Sequence, residues 1–342
     1  MALLFMDGFD TYTAEADLEK RWSTDIFQTS SFAAITSAAG RNGGNGLRFA
    51  NNSSISTPLG VNAGTLYAGF WFVGAASGAD TNWICSFQDG ATAQVVLYLN
   101  GSGKIAAYRG FATALLGTGT RTITSGVGHY IELKVVFHGS TGSLEVRVDG
   151  TTDLSLTGLN TAPSGNAYAN RFGIGARSGF QASHDYDDVY VCDSTGSANN
   201  NFLGDVRVSA LVPTGAGNYT QWTPSTGSNW QNVDDGAPNG DTDYNSDSTT
   251  GHRDSFVMGD LPATAATVLA VQYSLVARKD DAGTRQIAPF VRIGGTDYDG
   301  TTVSVSSSYD LYREIHETSP ASSVAWTVSE VNGMEYGYKE VA

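Results

Sequence analysis

The segment HYIELKVVFHGSTGSLEVRVDG, His129 to Gly150, decides the fold. Its apolar residues recur every second position: Ile131, Leu133, Val135 and Phe137, then Leu144, Val146 and Val148. A period of two puts each set on one face of a pleated strand. The polar run Gly139-Ser140-Thr141-Gly142 between them reads as a four-residue loop. That loop predicts the cross-strand pairs Phe137–Leu144, Val135–Val146 and Leu133–Val148, all apolar. The other face carries Glu132, Lys134, Glu145, Arg147 and Asp149, with opposite charges meeting on the diagonals, and reads as a solvated outer face.

The same texture extends in both directions. Short apolar or alternating runs occur at 65–75, 83–88, 93–100, 104–110, 171–176 and 187–193. Between them lie SGAD, QDGAT, NGSGK, GTGTR and PSGN, each a turn signal. One short helix is predicted in TAEADLEKRW, with Thr13 as its cap and Glu15 and Asp17 in its first turn. The chain holds 41 glycines, and charged residues make up only 15% of it, as expected where tight turns join many short strands. We therefore expect an all-β protein: an antiparallel jelly-roll β-sandwich followed by a second β-sandwich-type domain. The small polar stretch after residue 194, DSTGSANNNFLGD, sets the predicted boundaries: a sandwich over 1–195, a linker over 196–204 and a β-rich assembly domain over 205–342.

The formal net charge is −15. Nucleic-acid binding needs cations to displace phosphate counterions, so neither DNA nor RNA is an expected partner, and anionic membranes are disfavoured for the same reason. The opening MALLFMDGFDTY has no basic leader and only a short apolar run, so we expect synthesis in a host cytoplasm without export by the usual route. Cys85 and Cys192 sit in apolar runs and read as buried free thiols.

Candidate chemistry is sparse. A glycosidase needs two acids about 5–10 Å apart, one of them kept protonated. In the hairpin, Glu132 is followed on its face by Lys134 and Glu145 by Arg147, and a neighbouring cation lowers a carboxyl's pKa. No catalytic residues are therefore assigned. The five histidines show no zinc spacing, and no Gly-x-Ser-x-Gly, Walker or dinucleotide-binding pattern occurs. Asp185, Asp187 and Asp188 in SHDYDDVYVCD offer hard oxygens to Ca²⁺, or else cap turns. No other cofactor is expected. The polar stretch 218–248 mixes Tyr219, Trp222, Trp230 and Tyr244 with Asp234 and Asp235, and reads either as an interface arm or as a glycan-binding loop. Sandwich loops at 77–82, 108–113 and 177–187 are further glycan-binding candidates.

MDGFDTY, GRNGGNGLRF, the 128–150 hairpin and YDDVYVCDSTG together resemble the concanavalin A-like lectin/glucanase (laminin-G-like) sandwich of tailed-phage virion proteins. The segments NFLGDVRV, TQWTPSTGSNWQNVDD and AWTVSEVNGMEYGYKEV are similar to the β-rich extension that accompanies it. The resemblance implies a jelly-roll sandwich and a place on the exterior of a virion. From it we expect a non-enzymatic tail or neck appendage (fibre or spike), homo-oligomeric, with other virion proteins as partners and host-surface polysaccharide as a ligand. Capsid decoration and polysaccharide depolymerisation are the alternatives. An oligomer is directly checkable: at micromolar concentration, light scattering should give a mass above the 35.9 kDa of one chain, and a monomer counts against that expectation.

Overall fold

The structure is a computed structural model that describes residues 2–13, 15–24, 33–41, 43–50, 53–74, 82–176 and 183–342. Its regular structure is almost entirely antiparallel strand. The chain divides into two compact units, Met1–Val208 and Ser209–Ala342.

Two sheets form the first unit. One runs in the order Thr151–Leu159, Gly142–Val148, Gly128–Val136, Thr65–Val73, Ser183–Asp193, Gly46–Ala50 and Ala33–Thr36, with Leu3–Asp7 also paired to Ser183–Asp193. The other runs Ala114–Thr118, Ile105–Arg109, Thr92–Leu99, Asn82–Asp89, Ala169–Ala176, Ser53–Ala63 and Ser23–Thr24. Inward side chains of both share one core that includes Phe70, Phe72, Ile131, Leu133 and Val135 from the first sheet and Phe87, Val95, Leu97 and Phe172 from the second. Phe70 meets Phe172 at 6.3 Å between ring centroids. Tyr186 crosses the core, and its hydroxyl lies 2.8 Å from the carbonyl oxygens of both Ile84 and Gly175, sharing its one proton between them. The jelly-roll sandwich is therefore held by apolar burial. Cys85 and Cys192 are free and buried.

The hairpin has the predicted inward face but a register shifted by two residues. Ile131 pairs with Val148, Leu133 with Val146 and Val135 with Leu144, so Phe137 lies beyond the ladder. The expected register would set Lys134 against Arg147 and Glu132 against Asp149. The observed one sets Lys134 against Glu145 and Glu132 against Arg147. Like charges directly opposite are unfavourable, and a two-residue shift keeps every side chain on its face, so charge selects the register that hydrophobicity leaves open.

The outer face is not uniformly solvated as expected. Glu132 is 1% exposed. The end of the segment read as a linker over 196–204 lies on the first sheet: the Gly204 and Leu203 amides donate to Glu132 and to the Tyr190 hydroxyl, and the Phe202 ring meets Tyr67 edge-on at 5.3 Å. The division between the units accordingly falls after Val208. The predicted helix shrinks to one turn, Glu15–Leu18. The Thr13 hydroxyl donates to Asp17, and Trp22 is buried in the core.

In the second unit, an antiparallel sheet runs in the order Pro213–Thr220, Arg253–Met258, Glu335–Glu340, Gln286–Ile293 and Thr296–Asp299, with Val303–Ser304 paired to Gln286–Ile293. The ribbon Val271–Ala277/Asp310–His316 and the short helix Val328–Gly333 pack on it through Tyr273, Val291, Trp326, Val331 and Met334. Among the described residues no helix is long and apolar enough to cross a membrane.

Asp7 anchors the start of the chain. Its buried carboxylate accepts from the Phe9 amide at 3.0 Å, the Tyr12 hydroxyl at 2.7 Å and the Trp22 indole at 2.8 Å, and Arg21 lies 3.4 Å away. Asp7→Ala strands these donors and should destabilise the first unit by about 3–5 kcal/mol, read as a lower urea midpoint.

Candidate functional site

An open groove of roughly 440 Å³ lies at one end of the second sheet, lined by Pro58, Gly60, Val61, Asn62, Gly90, Asn170 and Arg171. Its origin is a mismatch in strand length. Ala169 pairs with Ala63 and Arg171 with Pro58, so the four residues Leu59–Asn62 face Asn170 alone. The longer strand must bow outward, and Gly60, at φ +73°, makes the bend. Pro58 is tolerated because the neighbouring strand Ser23–Thr24 pairs only with Ile55 and Ser56 and asks no amide of position 58. The opposite wall is the tight turn after Asp89, with Gly90 at φ +55°.

Asn170 ties these walls together. Its carbonyl oxygen accepts from the Gly90 amide at 2.9 Å, and its amide donates to Asn62 at 3.1 Å and to Asp89 at 3.4 Å. Asn166 donates to the other Asp89 oxygen at 2.7 Å. Arg171 bonds the Ser56 hydroxyl and pairs across strands with Gln88. The Gln88 amide nitrogen donates to Ser86, while its buried carbonyl oxygen accepts no hydrogen bond. The groove thus offers amide donors and acceptors, one guanidinium and two apolar surfaces, Pro58 and Val61. It suits a small polyhydroxylated ligand, and its volume lies within the about 300–1,000 Å³ usual for such sites. No carboxylate is among the described residues that line it.

The other residues singled out in the sequence do not gather into one site. Tyr219 donates to Asp297 at 2.8 Å and lies under the Arg292 guanidinium. Trp222 packs edge-on against Tyr338 at 4.7 Å and donates to the His252 carbonyl. Both belong to the packing of the second unit. Trp230 is half-buried in the single turn Asn229–Asn232, and Asp234 is half-buried beyond it. Asp235 is exposed and accepts from Asn239; Tyr244 is exposed. Residues 77–81 and 177–182 lie outside the described residues. In 108–113, Phe111 packs edge-on against the buried Trp83 at 5.8 Å.

The three aspartates do not suit Ca²⁺. Arg48 grips both oxygens of Asp185 at 2.7 Å each. Asp188 accepts from the Val208 amide at 2.8 Å and pairs with Arg41 at 3.3 Å. Asp187 accepts from the Arg41 and Asp188 amides, both at 2.7 Å. A bulge separates Asp187 from Tyr190, and Asp188 sits at φ +51°, which spoils the alternation on which a common metal site would depend. Among the described residues no group of three or more His, Cys, Asp or Glu could hold a metal ion.

No family model and no curated protein sequence matches the chain. Solved structures with a similar arrangement include cellulose induced protein Cip1 (15% identity, 56% of this chain and 97% of that one, TM-score 0.44). Domain 4 of AbnA, a GH43 extracellular arabinanase from Geobacillus stearothermophilus in complex with arabinotriose, is 13% identical over 56% of this chain and 92% of its own, with TM-score 0.40. The alginate lyase Aly36B is 11% identical over 55% and 95%, with TM-score 0.37.

Burial, and then the charge of Asp188, push the Asp187 carboxyl up from 3.8 to about 8. The folded chain therefore holds a proton there that the unfolded chain releases. This contribution to stability is complete below the unfolded value and is lost as pH rises through the folded one. It should give a slope of about 1.4 kcal/mol per pH unit between about pH 5 and 7.5. Asp187→Asn should remove that share of the slope, as measured by urea unfolding over a pH series.

Proposed function

We propose that this protein is a non-enzymatic structural component of a tailed-phage particle, an external tail or neck appendage of fibre or spike type, whose first unit binds host-surface glycans in the groove beside Arg171. The observation that carries the binding role is the bowed strand opposite Asn170. It leaves Asn62, Asn170 and Arg171 converging on one open cavity beside the apolar faces of Pro58 and Val61. Amides pair with ring hydroxyls as both donors and acceptors, and a proline face suits the C–H side of a sugar.

A binding role is favoured over bond cleavage by the placement of the acids. Glycoside hydrolysis needs a carboxyl pair across the scissile bond. Asp89, at the groove's border, already accepts from two asparagine amides. The phage setting rests on the sequence resemblance in the hairpin and in the strand that closes the sandwich. In this reading the second unit serves assembly, and its tryptophans support its own packing.

A glycan array probed with the full chain, with and without Ca²⁺, is the test. Arg171→Ala and Asn62→Ala should each weaken binding about fivefold to tenfold, the loss of roughly one hydrogen bond apiece. Binding untouched by both changes would remove the groove from the proposal. Release of oligosaccharide from a host polysaccharide would replace binding with depolymerisation.

A further inference from the structure

We propose that the sugar taken by the groove beside Arg171 is an acidic one, a uronic acid residue, with Arg171 on its carboxylate and Gln88 on a ring hydroxyl; this rests on the groove being the glycan site. Arg171 is the one charged residue among the described residues that line the groove. It lies on the outer face of its strand, because the next residue, Phe172, belongs to the core. Its guanidinium is held by the Ser56 hydroxyl. Gln88 stands directly opposite on the neighbouring strand, and Phe87 before it is also a core residue, so the two side chains share the outer face. Gly173 follows Arg171 on that face. A Cβ there would come within 3.0 Å of the Gln88 amide nitrogen and 3.3 Å of the Ser86 hydroxyl. The bare glycine thus makes room for the Gln88 amide, which donates to Ser86 at 2.9 Å. That bond engages the nitrogen and leaves the carbonyl oxygen, buried and accepting no hydrogen bond.

A guanidinium and an unanswered acceptor therefore stand side by side. The guanidinium fork matches a carboxylate through two parallel N–H···O bonds, and a buried carbonyl oxygen gains most from a hydroxyl donor. A uronic acid residue offers a carboxylate and ring hydroxyls together, while its C–H side suits Pro58 and Val61. One guanidinium balances one carboxylate. A phosphate monoester would bring a charge of about −1.5 to −2 to a single cation. The chain's net charge of −15 opposes an anionic ligand at long range. At physiological salt, charges beyond about 8 Å are largely screened, so the guanidinium in contact decides. Asp89, at the border, has one oxygen bonded by Asn166 and the other by Asn170.

The full chain can be tested on an array of bacterial polysaccharides with and without uronic acid, each printed beside its carboxyl-reduced form. Uronate-containing polysaccharides are expected to bind, and reduction to weaken them about tenfold or more, the worth of a hydrogen bond to a charged group. Arg171→Gln should weaken the acidic form to a similar degree and the reduced form by no more than about threefold, since glutamine keeps a neutral donor. Gln88→Leu should weaken both forms alike, about fivefold, because it removes the hydroxyl contact and leaves the charge. Equal binding of acidic and reduced forms, still weakened by Asn62→Ala, would overturn the acidic class and leave the groove as a glycan site. A preference for sulfated or phosphorylated glycans, which the reduction spares, would overturn it too, as would a folded Gln88→Leu chain that binds like the unchanged one. No binding anywhere on the array would count against both readings.

Discussion

A carboxylate taken out of water must be answered by donors or lose its charge, and the first unit depends on that constraint. Asp7, Glu132, Asp187 and Asp188 are each less than 5% exposed. Desolvating such a group costs several kcal/mol, which only close N–H, O–H or guanidinium donors recover. Each finds a different answer. Asp7 draws in Tyr12 and Trp22 and closes the amino-terminal turn on the sandwich. Glu132 and Asp188 take the backbone amides of Gly204 and Val208. Asp187, with amide donors but no guanidinium of its own, is pushed to the protonated form. The outer face of the first sheet is therefore finished by a segment from outside the sheet.

The groove has another origin. Hydrogen-bonded ladders tolerate an excess of residues on one strand only by expelling it, and four residues set against Asn170 leave a bow with a cavity beneath it. One side of that cavity is a two-residue turn, and the other is tied to Asn170.

The second unit shows how aromatic residues in a polar stretch can serve structure. Trp222 and Tyr219 are satisfied by Tyr338, His252, Asp297 and Arg292 within the unit. Asn229 and Asn245 bond each other's neighbourhood, to the Trp222 carbonyl, to Asp254 and to the Tyr338 hydroxyl, and so hold 218–248 without long strands. The partners of Tyr219 and Trp222 lie within the unit.

The alternation in 128–150 by itself determined the fold class, because a period of two specifies a pleated surface and names the buried set, Ile131 to Val148. The turn residues themselves placed QDGAT and NGSGK, where glycine is the residue a reversal needs. Alternation says which face a side chain takes and nothing of what lies upon that face. Glu132 therefore read as solvated, and DSTGSANNNFLGD, small and polar, read as a linker. The groove was equally hidden: Pro58 and Gly60 are visible as breaks in a strand, but their excess over Asn170 exists only once residues more than a hundred positions apart are paired. Local periodicity determined the elements of this protein. Long-range pairing, and the need to answer buried charge, decided its groove, the segment over its first sheet and its register.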